Sequence, residues 1–513
     1  MCRLVAPTPG LNPIAQERSM SRDAAASHRS ATQAPPYLIP ALLGLYTLFA
    51  LLPLLLADTG AGVGLHFWHK LGNGLAMAGF ALLLAEFILS GRFRGVTAPI
   101  GIDVTLRFHQ LMGHTVLVLL LIHPYLYALI PAATQAPGVV VPAPSSGLAE
   151  GLTGVIAWLV LGTVVLLAIA RDMIGLGYER WRLVHGVGAA VVAVFGLHHT
   201  LEAGVYSGQG LLAAFWVLAV AAALFTLVHA YWLVPRRQAR AAWRIKAVEQ
   251  SGPGYWDVTV EPEADSQARQ FRFHAGQFAW LKVAGHPYTL KEHPFSIASS
   301  PAALPEVVFT IKEAGDFTNT VGELQPGQRA YLDGPHGHFV LDDRPAAGIM
   351  LIAGGVGIAP IMSLLRELRA QGEQRPVRLV YGVRRLEEAL FREELAAAEE
   401  AMDLQVFLVV DEPGDEPVDD PKVLRGPVTR EVLHHCLPER GAADWVHYIC
   451  GPPAMIDSVE NSLEAEQVPL EHIRSERFRY TYHASTRRSR RIMAVWAGVT
   501  AIVVVAVLLF ALV

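Results

Sequence analysis

Six runs of apolar residues, each long enough to cross a bilayer, dominate the first half of this chain, and a seventh closes it. They fall at about 37–57, 71–90, 110–131, 151–170, 184–202 and 210–234, and then at 492–513. Hydrocarbon offers no partner to a backbone N–H or C=O, so such runs must be helices that satisfy these groups internally. Between the sixth and seventh runs, residues 240–480 mix charges, prolines and short β-branched stretches as a water-soluble protein does. With 513 residues the chain is long enough for two or three domains.

The loops show a charge bias that sets orientation. Arg92, Arg94 and Arg107 lie between the second and third runs, and Arg171, Arg180 and Arg182 between the fourth and fifth. Arg236, Arg237, Arg240 and Arg244 follow the sixth, whereas 58–66, 132–150 and 203–209 contain no Lys or Arg. Basic loops stay in the cytoplasm, which puts the N-terminus and the soluble part there. The first 36 residues are polar and rich in Ala, Ser, Pro and Arg, and read as a disordered tail rather than a signal peptide.

Histidines occupy matched depths in two of these runs: His109 and His123 in or beside the third, His185 and then His198 or His199 in the fifth. Charge at that depth costs several kcal/mol, so an ionisable residue there needs a reason. Two imidazoles 14 residues apart lie within ~40° of one helix face and ~21 Å apart along the axis. Both runs point outward, so His109 and His185 share the inner level and His123 shares the outer level with His198 or His199. Neutral imidazole is the usual axial ligand of haem iron, and one histidine per helix per level is what bis-histidine ligation of two haems requires. Helical phase favours His199 over His198. His114 and His229 are expected to make helix–helix hydrogen bonds, and His66 and His69 lie at the outer boundary.

Composition excludes several classes. The net charge of −5 averages two unlike halves and decides nothing, and no basic face suggests nucleic acid. Cys2, Cys436 and Cys450 have neither iron–sulfur nor zinc spacing and imply no disulfide framework.

From Trp243 onward, short alternating runs at 256–260, 270–273, 278–283 and 307–311 are punctuated by Gly and Pro, as in a small antiparallel barrel. An apolar strand at 349–353 then ends in Gly354-Gly355-Val356-Gly357-Ile358-Ala359-Pro360 and a helical run. Strand, glycine turn and helix N-terminus make a cradle for pyrophosphate. Further strands at 377–381, 404–410 and 446–450 alternate with helical segments, as in a doubly wound sheet, and the last ends in Cys450-Gly451-Pro452-Pro453.

The runs His293-Pro294-Phe295-Ser296-Ile297, Gly315-Asp316-Phe317-Thr318 and Gly334-Pro335-His336-Gly337 resemble the flavin-binding module of the ferredoxin reductase superfamily. Residues 354–360 and 450–453 resemble its nicotinamide nucleotide module. Joined to a six-span domain with paired histidines, the whole resembles the ferric reductase and NADPH oxidase superfamily over about 37–480. The resemblance implies a multi-domain membrane protein: a tail (1–36), a six-helix transmembrane haem bundle (37–234), an antiparallel β-barrel FAD domain (240–344), a doubly wound α/β nucleotide-binding domain (345–480), and a basic linker with an extra C-terminal transmembrane helix (481–513).

It also implies roles. Phe295 and Ser296 line the flavin, the Ser296 hydroxyl near N5, and Cys450 sits near the nicotinamide C4. His293 stands where an arginine is more usual, so Lys312 and the backbone from Gly315 to Thr318 become candidates for the FAD pyrophosphate, with Pro294 and Gly334 beside them. Gly354, Gly355, Gly357, Pro360, Gly451 and Pro452 frame the nucleotide. Arg384 and Arg385 are candidates for a 2′-phosphate, with NADPH or NADH left open. Glu476-Arg477-Phe478 matches the ending in which an aromatic residue covers the flavin, yet here a basic stretch and a further span follow, expected to tether the reductase to the bilayer. The implied cofactors are FAD and two b-type haems. The implied path runs from cytoplasmic NAD(P)H to an external acceptor, first a ferric chelate, with oxygen or a periplasmic protein partner as alternatives, in a bacterial inner membrane.

Overall fold

In the computed structural model the described residues are 37–90, 93, 100–129, 148–171, 173–208, 210–342, 344–412, 420–438, 442–477 and 487–513. Residues 1–36, Arg92, Arg94, residues 130–147, Phe478 and the stretch on to residue 486 lie outside them.

Among the described residues, seven helices are long and apolar enough to cross a membrane. They are α1 (Leu38–Leu56), α2 (Phe67–Ser90), α3 (Ile102–Leu126), α4 (Leu148–Ala170), α5 (Tyr178–Ala203), α6 (Gly210–Val228) and, at the far end, α11 (Arg487–Leu512). A π-helical turn, His229–Leu233, and one more turn, Val234–Gln238, lead from α6 into the soluble part. Helices α3 and α5 begin well before the apolar runs that announce them. Asp103, Arg107 and His109 lower the hydropathy of the first turns of α3 without breaking the helix, as Glu179, Arg180 and Arg182 do in α5.

Helix α2 is the hub of the bundle, with 72% of its apolar window buried. Small residues allow the close approach. A Cβ on Gly79 would lie 2.9 Å from Leu120 of α3, and one on Gly74 would lie 3.0 Å from Val507 of α11. The C-terminal helix is therefore more than a tether. Its Val499, Val503 and Val507 are buried in the bundle core. Trp496 Nε1 donates to Thr115 Oγ1 of α3 at 3.0 Å, and Thr500 Oγ1 lies 3.3 Å from the same hydroxyl.

The first soluble unit is a six-stranded sheet in the order β4-β3-β6-β1-β2-β5. Its strands are β1 (Ala242–Gly252), β2 (Tyr255–Pro262), β3 (Phe278–Val283), β4 (His293–Ser296), β5 (Val307–Lys312) and β6 (Arg329–His336). All their pairings are antiparallel, and a bridge from Ile297 to Phe309 brings the two sheet edges together. Alternation explains the fold: Val258, Val260, Phe309 and Ile311 point into a shared core.

The second unit carries strands β7 (Gly348–Gly354), β8 (Val377–Val383), β9 (Leu404–Val410), β10 (Val423–Arg425), β11 (Trp445–Cys450) and β12 (Ile473–Glu476). Helices α7 (Ile358–Gln371), α8 (Arg392–Ala401), α9 (Arg430–Cys436) and α10 (Pro453–Ala465) alternate with them. The order is β10-β9-β8-β7-β11-β12, and every pairing is parallel. The chain winds one way from β7 to β8 and then returns to lay β11 on the other side of β7. That reversal opens a crevice at the strand C-termini, where such sheets bind ligands.

Candidate functional site

The paired histidines come together as their depths require. His109 of α3 and His185 of α5 face each other with ring centres 6.3 Å apart and planes at 71°. Both line an apolar cavity of about 270 Å³, with Leu83, Val116, Leu161 and Val192. Imidazoles bound on opposite sides of one metal, at the ~2 Å typical of metal–imidazole bonds, have ring centres roughly 6 Å apart. His109 Nδ1 is 2.7 Å from Glu86 Oε2, so the carboxylate accepts its proton and Nε2 stays uncommitted. His185 Nδ1 is buried without a hydrogen-bond partner among the described residues, its ring beside Trp181 at 5.3 Å. These features fit a haem between the two rings.

Near the other end of α3, His123 Nδ1 donates to the Leu120 carbonyl at 2.6 Å, again leaving Nε2 uncommitted. The histidine it interacts with electrostatically is His199. His199 lies across α4 at Gly154, where any Cβ would come within 2.6 Å of its Nδ1. His198 is exposed and hydrogen-bonded to Thr153 Oγ1 at 3.1 Å. The expectation for the two isolated histidines is corrected: His114 is exposed, and His229 stacks on Phe93 with its Nδ1 lacking a partner among the described residues. Among the described residues, neither is shown joining two helices by a hydrogen bond.

The flavin strand β4 lies against the membrane bundle. Its neighbour β3 carries Phe278 opposite Ser296 and Ala279 opposite Phe295. Phe278 and Trp280 pack on Ile102 and Leu106 at the N-terminal end of α3, and Trp280 also lines the His109–His185 cavity. Arg182, one turn before His185, donates to Glu292, the residue that leads into β4. Lys282 joins them from β3, 3.5 Å from the other Glu292 oxygen.

His293 stacks flat on Phe317, with ring centres 4.2 Å apart and planes at 6°. Burial holds its imidazole below the ordinary range, so it brings no positive charge to a diphosphate. The Gly315–Thr318 turn is closed by Thr318 Oγ1, which accepts from Ala314 N at 2.8 Å and donates to the Gly315 carbonyl. Gly334 packs its backbone on Ala279, where a Cβ would come within 2.7 Å of the alanine methyl. Lys312 is committed elsewhere, 3.6 Å from Glu388 Oε2 and over the Tyr255 ring, at the seam with the second unit.

In the nucleotide unit the glycine turn presses on the end of β11. A Cβ on Gly357 would lie 2.2 Å from the Cys450 carbonyl oxygen, and one on Gly354 would lie 2.5 Å from Met455 Sδ. Gly355 has φ +52°, which favours glycine. Cys450 is fully buried between Ala353 of β7 and Glu476 of β12. Burial, reinforced by the nearby Glu476 carboxylate, pushes its thiol well above the ordinary cysteine range. Gly451 and Pro452 turn the chain into α10, and Pro360 lies in the first turn of α7. Ser363 and Arg366 of α7 donate to the carbonyls of Ser299 and Ala298, both at 2.7 Å, just after the flavin strand. Arg384 and Arg385 stand beyond the β8 C-terminus as expected, but carboxylates hold them: Glu412 is 2.9 Å from Arg384 and Glu387 is 2.8 Å from Arg385.

Sequence reasoning missed Glu86, Tyr46, Trp280 and the Arg182–Glu292 pair. Glu86 carried a signal, since it is the one charged residue within 71–90. The others become visible when distant segments meet.

Comparison with known proteins agrees with this geometry. Residues 75–196 match the family described as ferric reductase like transmembrane component, residues 258–335 an FAD-binding domain, and residues 351–461 the oxidoreductase NAD-binding domain. The reductase component of propane 2-monooxygenase from Mycolicibacterium goodii is 34% identical over 209 residues, which are 40% of this chain and 58% of that protein. The NADH oxidoreductase HCR of Escherichia coli K12 is 26% identical over 44% of this chain and 64% of that protein. The chain thus spans about three-fifths of the length of these relatives. A solved ferredoxin reductase of carbazole 1,9a-dioxygenase aligns at TM-score 0.41 and 23% identity, over 47% of this chain and 69% of that one.

The chain thus carries an FAD-binding domain and an oxidoreductase NAD-binding domain side by side. Ahead of them lies a segment that matches the ferric reductase like transmembrane component, so the three matched domains are joined in one chain.

Proposed function

We propose that the chain moves electrons across a bacterial inner membrane, from cytoplasmic NAD(P)H through FAD and two b-type haems to an acceptor outside, a ferric chelate. The observation that carries this reading is the His109–His185 pair, 6.3 Å apart in an apolar cavity whose lining includes Trp280 of the flavin unit. The basic inner loops support the orientation.

When bound, FAD supplies hydride acceptance and single-electron release, and the haems supply outward transfer. The chain's own residues do the rest. The 354–357 turn and the α7 N-terminus hold the nucleotide diphosphate, and the neutral Cys450 thiol leaves a short path beside the nicotinamide. Ser296 and Phe295 orient the flavin ring. Trp280 and Phe278 exclude water between the flavin strand and the inner histidines. His109 with His185 hold the inner haem, and His123 with His199 the outer one. The carboxylates around Arg384 and Arg385 oppose a 2′-phosphate, so NADH is used at least as well as NADPH.

The test is purified protein reduced by NADH or NADPH, then reoxidised separately by ferric citrate and by oxygen, with His123→Ala alongside. Reoxidation by ferric citrate that His123→Ala abolishes, while NAD(P)H-to-dye activity survives, supports the reading. Reoxidation by oxygen alone makes the protein an oxidase, and reoxidation by neither points to a protein acceptor.

A further inference from the structure

Glu86 is a buried carboxylate, 6% exposed, near the cytoplasmic end of the central helix α2. Both of its oxygens are engaged by side chains from other spans. Tyr46 of α1 donates its hydroxyl to Oε1 at 2.6 Å, and His109 of α3 approaches Oε2 at 2.7 Å. An acid in an apolar bundle costs several kcal/mol unless it is paired, and this one is paired on both sides. A purely structural carboxylate could bond either ring nitrogen or a backbone group. This one takes Nδ1 of His109 and leaves Nε2 to the cavity shared with His185.

The two levels of the bundle differ here. His123, at the outer level, gives its Nδ1 proton to a neutral backbone carbonyl, Leu120. His109, at the inner level, gives its proton to a charged group. A carboxylate on the far nitrogen fixes the ring, raises its basicity and stabilises the more positive state of a bound metal. Tyr46 holds the carboxylate in turn, its ring edge-on to Phe108 at 5.4 Å.

We infer that Glu86, held by Tyr46, is a positioning residue for His109 and lowers the reduction potential of the inner metal centre relative to the outer one. The difference favours outward flow. This rests on the bis-histidine reading proposed above.

The test uses the full-length protein in detergent, comparing wild type with Glu86→Gln, Glu86→Leu and Tyr46→Phe by haem content, low-spin electron paramagnetic resonance and potentiometric titration. Glu86→Gln keeps an acceptor for His109 but removes the charge. It should retain both haems, raise one midpoint potential, shift one low-spin signal and leave the other centre unmoved. Tyr46→Phe should move the same centre in the same direction by less, and Glu86→Leu should lose occupancy of that haem. If Glu86→Leu fails to fold, the two milder variants carry the test. A wild-type chain without low-spin haem overturns the functional reading and this inference together. Two haems whose potentials and signals are unchanged in Glu86→Gln overturn this inference alone.

Discussion

Arg182 and Glu292 join helix α5 to strand β4: Arg182 lies one turn before His185, and Glu292 immediately precedes β4. Their side chains are 17% and 4% exposed, so the pair sits in a seam that water barely reaches. Lys282 on β3 completes the cluster, its ammonium held also by Gln238 and the Pro287 carbonyl.

Breaking that pair should uncouple the two halves. Removing one partner of a buried ion pair costs about 3 kcal/mol, because the remaining charges stay desolvated. Glu292→Leu should slow haem reduction by NAD(P)H tenfold or more while flavin reduction is unchanged. Stopped-flow traces at flavin and haem wavelengths check this, and equal slowing of both would assign the pair a role in flavin binding instead.

The glycine turn leaves no room for a side chain at Gly357. A methyl there meets the Cys450 carbonyl at 2.2 Å, and overpacking of this kind costs about 1–3 kcal/mol. Gly357→Ala should therefore raise KM for the nicotinamide nucleotide roughly tenfold, each factor of ten being ~1.4 kcal/mol. Dye reduction by detergent-solubilised protein reads this out.

Cys450 should behave as an inert thiol. Burial and Glu476 hold its pKa well above the ordinary range, and the thiolate is the reactive form. Iodoacetamide at pH 8 should leave Cys450 unmodified in folded protein and label it after unfolding, as peptide mass spectrometry would show. Rapid labelling of the folded chain would contradict the buried placement.

His447 gives the nucleotide unit a pH dependence. Its Nε2 donates to the Ala442 carbonyl at 2.9 Å, and burial pushes the pKa from 6.5 down to about 4. The unfolded chain takes up this proton near 6.5 while the folded chain resists until about 4. Its contribution, about 3 kcal/mol at 1.36 kcal/mol per unit, is thus fully present above pH 6.5 and lost as pH falls through that window. Hydrogen exchange at β11 amides should accelerate between pH 6.5 and 4 beyond its intrinsic trend, and His447→Gln should flatten that excess.

Much of this was legible before any coordinates. The spans, the antiparallel first soluble unit and the parallel second one all follow from periodicity and glycine placement, because those signals are local. The misses share one cause. Glu86 meets Tyr46 and His109 across three spans, Trp280 reaches the haem cavity from a different domain, and Arg182 finds Glu292 110 residues away. Such contacts depend on how elements dock. The docking of α11 against α2 and α3 escaped for the same reason, as did the approach of Lys312 to Glu388 of the other soluble unit.

The central claim is that His109–His185 and His123–His199 ligate two haems in series. The most direct measurement is haem content and the reduced-minus-oxidised spectrum of His198→Ala and His199→Ala side by side. The account predicts two haems in His198→Ala, since that side chain is exposed and tied to Thr153, and one in His199→Ala. Loss of a haem from His198→Ala, with both retained in His199→Ala, would contradict it.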